Sequence, residues 1–305
     1  MASDGTPGRS RLVRVSAYDG LVRAFAVDST EVVAELQARH GTYPAVTAAL
    51  GRLATGALLL GSMLKEPDHL VTLRVQADGP AGTLIASANG AGDVRGLVAN
   101  PRPEVDQARD GKLNVSGVVG RNGQIRVTRD LGLRQPYASA VELVSGEIGD
   151  DLAAYLVQSE QVPSAVGVGV FVRADGSVEA AGGYLVQLLP GVTEDLAASL
   201  EATIRSLPHP TSMLRAGETP EQILDRIFAA GYEVLAVTGV RFHCPCSRQR
   251  AERALILLGA EALSSLREDD AGQGHSELVC EFCKTPYRFT SEEIDALIAA
   301  ARPDA

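Results

Sequence analysis

The spacing of apolar positions along this chain changes several times, and each change marks a different kind of element. Over residues 12–27 apolar and polar positions alternate well enough for two strands, with Asp19-Gly20 as the turn between them. Asp28 then stands three residues before Glu31, a capping-box-like pair that predicts a helix running to about His40-Gly41. A second helix is predicted over about residues 44–65. It is apolar over most of its circumference, so it belongs in the middle of a core. Its most apolar stretch, 53–64, is too short to span a bilayer.

From residue 69 to 189 strand-like segments and turn signals dominate. Val71, Leu73 and Val75 alternate ahead of an Asp78-Gly79-Pro80 turn. Arg121-Asn122-Gly123-Gln124 and Ala174-Asp175-Gly176-Ser177 both read as tight hairpin connections. One helix, about 150–159, interrupts the strands. Residues 11–190 therefore predict one α+β domain on a largely antiparallel sheet. Residues 191–240 predict a helical linker. Thr193 caps a helix whose Leu196, Leu200 and Ile204 make one stripe, and Pro208-His209-Pro210 breaks it. Thr219-Pro220-Glu221-Gln222 opens another helix, with Ile223, Leu224, Ile227 and Phe228 on one face and Gly231 at its end. Short helices with apolar faces must pack on something. Residues 241–305 predict a last, small domain: a helix at 248–258, a short strand at Arg288-Phe289, and a Thr290/Glu293 capping box opening a C-terminal helix. Residues 1–10 are small and polar and predict a disordered extension.

Composition fits this picture: 305 residues, 45% apolar and 22% charged, suit a globular protein with one large domain and one or two small ones. A net charge of −10 argues against a general phosphate-backbone binder, which needs a basic surface. The first twenty residues contain no apolar signal core, so a reducing cytoplasm is expected; there, cysteine clusters mean metal or redox chemistry more often than structural disulfides. Gly90-Ala-Gly-Asp-Val-Arg-Gly96 is off by one from a dinucleotide-binding loop and leads into a strand, so it reads as a hairpin loop. The chain offers no P-loop, HExxH or GxSxG, its five histidines are scattered, and no enzymatic activity is expected.

The cysteines carry the chemistry. All four lie in the last sixty-two residues, as Cys244-Pro-Cys246 and Cys280-Glu-Phe-Cys283, thirty-three residues apart. Two tight pairs of thiols suit a tetrahedral soft cation such as zinc, so Cys244, Cys246, Cys280 and Cys283 are the expected ligands of one Zn2+. Four thiolates leave no open position for an activated water, so the site is structural or redox, not hydrolytic. His243 and His275 adjoin the thiols but are not needed as ligands. Thiolates on zinc remain open to peroxide or hypochlorous acid. Losing the metal would remove about 10–16 kcal/mol of apparent binding energy that helps fold so small a domain. A zinc-ribbon nucleic-acid binder and a thiol–disulfide oxidoreductase built on Cys280 and Cys283 remain alternatives at this point.

The segment Arg241-Phe-His-Cys-Pro-Cys-Ser-Arg248, with Val279-Cys-Glu-Phe-Cys283 and Tyr287-Arg-Phe289, resembles the zinc domain of the thirty-three-kilodalton chaperonin family, the redox-regulated bacterial heat-shock holdases. The segment Ala181–Pro190 and Gly111-Lys-Leu-Asn-Val115 are similar to parts of that family's large domain. The gap of thirty-three residues is long for the family, and residues 1–10 are an extension to it. The resemblance implies an ATP-independent chaperone that is off while zinc is bound. Oxidation would link Cys244 to Cys246 and Cys280 to Cys283, expel zinc, and unfold the small domain and the linker. It further implies binding of unfolded or partially folded clients, a homodimer in the oxidised state, and hand-off to an ATP-dependent foldase, with no nucleic-acid or membrane partner.

Overall fold

The computed structural model describes residues 10–109, 111–269 and 274–301. The disordered extension expected over residues 1–10 lies outside the described residues except for Ser10, which is buried. The chain forms two compact units, one ending at His243 and one beginning at Cys244.

In the large unit β1 (Arg11–Ala17) and β2 (Val22–Asp28) pair as an antiparallel hairpin. Asp28 is the last residue of β2, where it pairs with Gly182. Its Oδ1 accepts from the Thr30 N–H at 3.0 Å and the Thr30 hydroxyl at 2.6 Å, so α1 (Thr30–His40) begins after Ser29. The expected Asp28/Glu31 capping box does not form, because the Glu31 N–H donates instead to Ser10 Oγ at 3.3 Å. Helix α2 (Pro44–Gly61) follows, shorter than expected and buried everywhere except Pro44 and Arg52. Among the described residues it is the one helix long and apolar enough to cross a membrane, and it lies inside the core.

Strands β3 (Leu70–Ala77), β4 (Leu84–Asn89) and β5 (Asp93–Val98) form a meander, with the Gly90–Gly92 turn as its second connection. A two-residue ladder, β6 (Ala108–Arg109) with β7 (Lys112–Leu113), leads to α3 (Val115–Val119) and β8 (Gly123–Asp130). Here the Asn122-Gly123 hairpin expectation is corrected. The residues before it are helical: Asn114 Oδ1 accepts from the Gly117 N–H at 3.1 Å, and Val115, Val118 and Val119 are buried at helical spacing. The turn is instead tied to Asp78, which accepts from the Arg121 and Asn122 N–H groups at 3.0 and 3.1 Å. Strand β9 (Tyr137–Glu142), α4 (Gly149–Gln158), β10 (Ser164–Val172) and β11 (Val178–Leu188) complete this part, the last two joined by the Asp175-Gly176 turn as expected.

Helices α5 (Glu194–Ser206), α6 (Pro210–Arg215) and α7 (Pro220–Ile227) occupy most of the stretch expected to be a helical linker. The Thr219/Gln222 capping box forms at α7. The end of that stretch is not helical: β12 (Glu233–Gly239) pairs antiparallel with β1. Just beyond it, β13 (Arg241–Phe242), expected within the small domain, pairs parallel with β5 of the large unit.

Two sheets result. One has the order β10-β11-β2-β1-β12, the other β13-β5-β4-β3-β8-β9, and both are antiparallel apart from the β13–β5 pairing. Helices α1 and α2 share the main core with one face of each sheet, through Phe25, Val27 and Leu185 of the first and Leu73, Leu84 and Ile125 of the second. The other face of the five-stranded sheet carries Val13, Val15, Val22, Ala24, Tyr184 and Val186. It packs with Leu200, Met213, Leu214, Ile223, Leu224 and Ile227 of α5–α7 as a second core. Burial on both faces explains why β2 reads as an almost unbroken apolar run. Gly169 of β10 allows the helical cover to sit close, since a Cβ there would lie 2.3 Å from the His209 ring at the start of α6.

The small unit contains α8 (Arg248–Leu258), α9 (Ala260–Asp269), the hairpin β14 (His275–Val279) with β15 (Pro286–Thr290), and α10 (Ser291–Ala301). The Thr290/Glu293 box forms, with the Thr290 N–H donating to Glu293 at 2.8 Å and the Glu293 N–H to Thr290 Oγ1 at 3.3 Å.

One buried carboxylate holds the entry to α4. Asp151 Oδ1 accepts from the Val144, Ser145 and Gly146 N–H groups at 2.8, 3.0 and 3.3 Å, and Oδ2 accepts from Ile148 N–H at 2.9 Å. Truncation to Asp151→Ala strands four donors with no acceptor. It is expected to lower the stability of the large unit by about 2–4 kcal/mol. A urea midpoint measured under reducing conditions checks this, and a midpoint equal to that of the parent protein counts against the assignment.

Candidate metal centre

The four cysteines converge because two short segments are each held by local bonds. Cys244 and Cys246 flank Pro245, whose ring fixes its own φ. Ser247 immediately caps α8, its Oγ accepting from the Arg250 N–H at 3.3 Å. The second pair sits on the turn leaving β14. The Cys280 N–H donates to Thr285 O at 3.0 Å, and the Lys284 N–H returns to Cys280 O at 2.7 Å. Lys284 adopts a φ of 58°, the left-handed conformation that closes this turn. The turn aims the Phe282 and Cys283 N–H groups at the Cys280 sulfur.

The result is a compact sulfur cluster. The four Sγ atoms all lie within 4.8 Å of one another. Cys244 is 3.8 Å from Cys280 and Cys246 is 3.2 Å from Cys283, so the two segments meet edge to edge. A tetrahedron with Zn–S bonds of about 2.3 Å has edges of about 3.8 Å. Two hydroxyls from the β15 side complete the surroundings: Tyr287 donates to Cys246 Sγ at 3.1 Å, and Thr285 Oγ1 is 3.2 Å from Cys283 Sγ.

The electrostatics show what the cluster lacks on its own. Burial pushes the Cys246 thiol up to about 12, aided by its hydrogen bonds with Cys283 and Cys244. Burial raises Cys280 as well. Burial acts upward on Cys283 too, but hydrogen bonds with Thr285, Cys246 and Cys280 outweigh it and hold that thiol at about 6. Tyr287 is pushed up to about 12 by its bond to Cys246 and by burial. One sulfur in the close pair is thus a thiolate at the expense of its neighbour, as expected for coupled sites. A cation between them removes the conflict, and soft thiolates select a soft divalent one. The four cysteines are positioned to bind a metal ion.

Among the described residues this is the one grouping of three or more metal-competent side chains, and it contains neither histidine weighed from the sequence. His243 donates its N–H to Val94 O in the large unit, and His275 opens β14 opposite Thr290. Sequence reasoning missed the supporting residues. Arg248 donates to Arg288 O at 2.7 Å and to Glu293 at 2.6 Å, and stacks 4.4 Å over Phe289, joining the first cysteine segment to the hairpin and to α10. Thr285 and Tyr287 stand at i and i+2, the period that puts both on one side of an extended strand.

Comparison with known proteins agrees with this geometry. The family described as Hsp33 protein matches residues 10–290. The 33 kDa chaperonin of Bacillus subtilis (strain 168) is 46% identical over 286 residues, covering 94% of this chain and 97% of its own. That of Listeria monocytogenes serotype 4a (strain HCC23) is 42% identical over 295 residues, covering 95% and 99%. The crystal structure of the 33 kDa chaperonin (heat shock protein 33 homolog) from Thermotoga maritima superposes with a TM-score of 0.87 at 36% identity, over 96% of this chain and 98% of that one.

With the Cys246 thiol at about 12, ligation at neutral pH must displace its proton. Apparent zinc affinity is therefore expected to rise at least about tenfold per unit between pH 7 and 8. Competition with a chromophoric chelator measures this, and a flat profile would mean that Cys246 does not bind as a thiolate.

Proposed function

The chain belongs to the Hsp33 family, a family of chaperones rather than enzymes, and from this premise we propose that it is a redox-regulated, ATP-independent holdase of the cytoplasm. The observation that carries the reading is the sulfur cluster in a unit with little else to hold it. The core of the small unit consists of Ala251, Leu255, Leu263, Phe289, Ile294 and Ile298, with a few partly buried neighbours. So small a core needs a covalent or metal staple. Bound through Cys244, Cys246, Cys280 and Cys283, zinc would neutralise the thiolates and tie the two segments together.

Oxidation dismantles that staple. A thiolate attacks peroxide, the O–O bond breaks and hydroxide leaves; a second thiolate then attacks the sulfenic sulfur and expels another hydroxide. Two thiolates are oxidised, one peroxide is reduced, and two protons complete two waters. The pairings are Cys244 with Cys246 and Cys280 with Cys283. Chain separation favours them once the unit loosens, because near neighbours stay near in an unfolded chain while the two segments drift apart.

Cys244 continues directly from β13 and β12, and before them α5–α7 cover the second face of the five-stranded sheet. Unfolding that spreads back along the chain would bare that apolar face for unfolded or partially folded clients. The oxidised protein pairs as a homodimer, and reduction allows hand-off of clients to an ATP-dependent foldase system.

Light scattering of a heat-denaturing client, with zinc release followed in the same tube, tests the reading. Peroxide at elevated temperature is expected to suppress aggregation in step with zinc release, whereas the reduced protein leaves aggregation unchecked. Suppression by the reduced protein, or oxidation that leaves zinc bound, would sink it. The covering helices give an independent check. Leu224 of α7 is fully buried against the five-stranded sheet, so Leu224→Asp is expected to undock that helix and give aggregation suppression without oxidant. If the folded, zinc-loaded variant stays inactive while reduced, α7 is not part of the cover.

A further inference from the structure

Sulfurs that the proposed switch does not join approach each other closely in this cluster. Cys246 and Cys283 stand 3.2 Å apart, closer than Cys244 and Cys280 at 3.8 Å. A disulfide between Cys246 and Cys283 would be a different product from the two in-pair disulfides. It would connect the segment entering α8 to the turn leaving β14, cross-linking the small unit where oxidation is meant to release it. A long closed loop stabilises a fold mainly by restricting its unfolded chain. The crossed product is thus a dead end, and the 3.2 Å approach of its two sulfurs makes it accessible.

These two sulfurs are also the ones against which β15 and its approach set hydroxyls. The Tyr287 hydroxyl donates to Cys246 Sγ at 3.1 Å, and Thr285 Oγ1 lies 3.2 Å from Cys283 Sγ. A neutral thiol at position 283 donates to the Thr285 oxygen; a metal-bound thiolate can only accept, so the Thr285 hydroxyl then donates. With both sulfurs ligated as thiolates, each hydroxyl donates to sulfur electron density that a nucleophilic attack requires. Hydrogen bonds of this outer kind lower the reactivity of ligand sulfurs without replacing any ligand.

We propose that Tyr287 and Thr285 are positioning residues that restrain the close sulfurs of Cys246 and Cys283, suppressing the crossed disulfide so that oxidation runs within each cysteine pair. The suppressed reaction has the same balance as the productive one. Cys246 sulfur attacks peroxide with loss of hydroxide, Cys283 sulfur displaces the second hydroxide, and peroxide takes up the two electrons. The hydroxyls act on the first step at Cys246 and on the second at Cys283. Both side chains serve this role through contacts already made in the folded unit, and Tyr287 is further fixed by ring packing against the small core.

This inference rests on the redox reading above, and the test separates the two. The full chain, reduced and zinc-loaded, is treated with a limiting amount of peroxide below its melting temperature, quenched with an alkylating agent, digested and mapped for disulfides. Tyr287→Phe keeps the ring and removes the hydroxyl; Thr285→Val removes the second hydroxyl and Thr285→Ser restores it. The Cys246–Cys283 linkage is expected to rise about threefold to tenfold in Tyr287→Phe and Thr285→Val. Thr285→Ser should return it to the parent level, with zinc content and melting temperature of the loaded variants unchanged. A purely structural role would move the melting temperature and leave the linkage pattern alone. If the parent forms in-pair disulfides and the variants give the same linkage distribution, the hydroxyl restraint is wrong and the redox reading stands. If the parent binds no zinc and forms no disulfide, both fall.

Discussion

Four sulfurs crowded within 4.8 Å of one another cannot all carry charge unless a cation sits among them. The small unit is organised around that constraint. Its turns spend their hydrogen bonds on placing sulfur: the Cys280 N–H to Thr285 O, the Lys284 N–H to Cys280 O, and the Phe282 and Cys283 N–H groups toward the Cys280 sulfur. Arg248, one residue beyond the α8 cap, then ties the first cysteine segment to β15 and α10. Without the ligated cluster these contacts hold together only a small core around Leu255, Phe289 and Ile294. The hydrophobic contribution of so few side chains is of the same order as the conformational entropy of ordering the unit. On the proposed reading its fold is conditional on sulfur chemistry in a way that the fold of the large unit is not.

The large unit has a different conditional element. Its five-stranded sheet is apolar on both faces, and only one of them is covered by the long buried helix α2. The other depends on three short helices. An eight-residue helix such as α7 is not stable alone in water. It persists because Ile223, Leu224 and Ile227 are buried against β1 and β2, each such side chain contributing about 1.5–3 kcal/mol as an upper estimate. The Thr219/Gln222 box and the two-pronged Arg11–Glu221 pair, at 2.9 and 2.8 Å, fix its entry angle. Burial acts against the charge of Glu221, but the Arg11 guanidinium prevails and holds that carboxyl below its ordinary range. Cover and sheet therefore stabilise each other, and neither face of the contact suits water once separated.

Much of this was legible in the sequence, and the limits have physical causes. The cysteine cluster was readable because its ligands come as two local pairs, so spacing alone specifies most of the geometry. Helices α2, α5 and α7 announced themselves through apolar stripes and caps, and the Asp175-Gly176 hairpin through its turn chemistry. Asn122-Gly123 misled because the same dipeptide serves any sharp turn; the helical spacing of Val115, Val118 and Val119 was the signal that outranked it. Strand β12 was invisible because it is an edge strand. Val234, Leu235 and Val237 are all substantially exposed, so no buried face imposes an alternating pattern. The roles of Tyr287 and Thr285 depend on how β15 runs past the cluster, which no local spacing reports. Residue chemistry supplied the ligands and the redox possibility; the resemblance to a family supplied the chaperone switch and the disulfide pairing.

Placing the sulfur chemistry and the apolar cover in successive parts of one chain gives the proposed switch a two-condition character. In that switch oxidation would remove the staple of the small unit, while the contacts that dock α5–α7 lie in the large unit. Those contacts include a separate hydrophobic core and the Arg11–Glu221 pair, and β12 adds a ladder to β1 between the helices and Cys244. Loss of the sulfur cluster thus leaves the cover with its own free energy of docking, diminished only by whatever the folded neighbour contributed. Heat supplies the remainder, since the conformational entropy released by three short helices and an edge strand grows in weight with temperature. Under the proposed switch, a chain built this way would respond weakly to oxidant or warmth alone and strongly to both together. The reason lies in the order of its elements: the sensor is tied covalently to the end of the cover, and the cover has stability of its own.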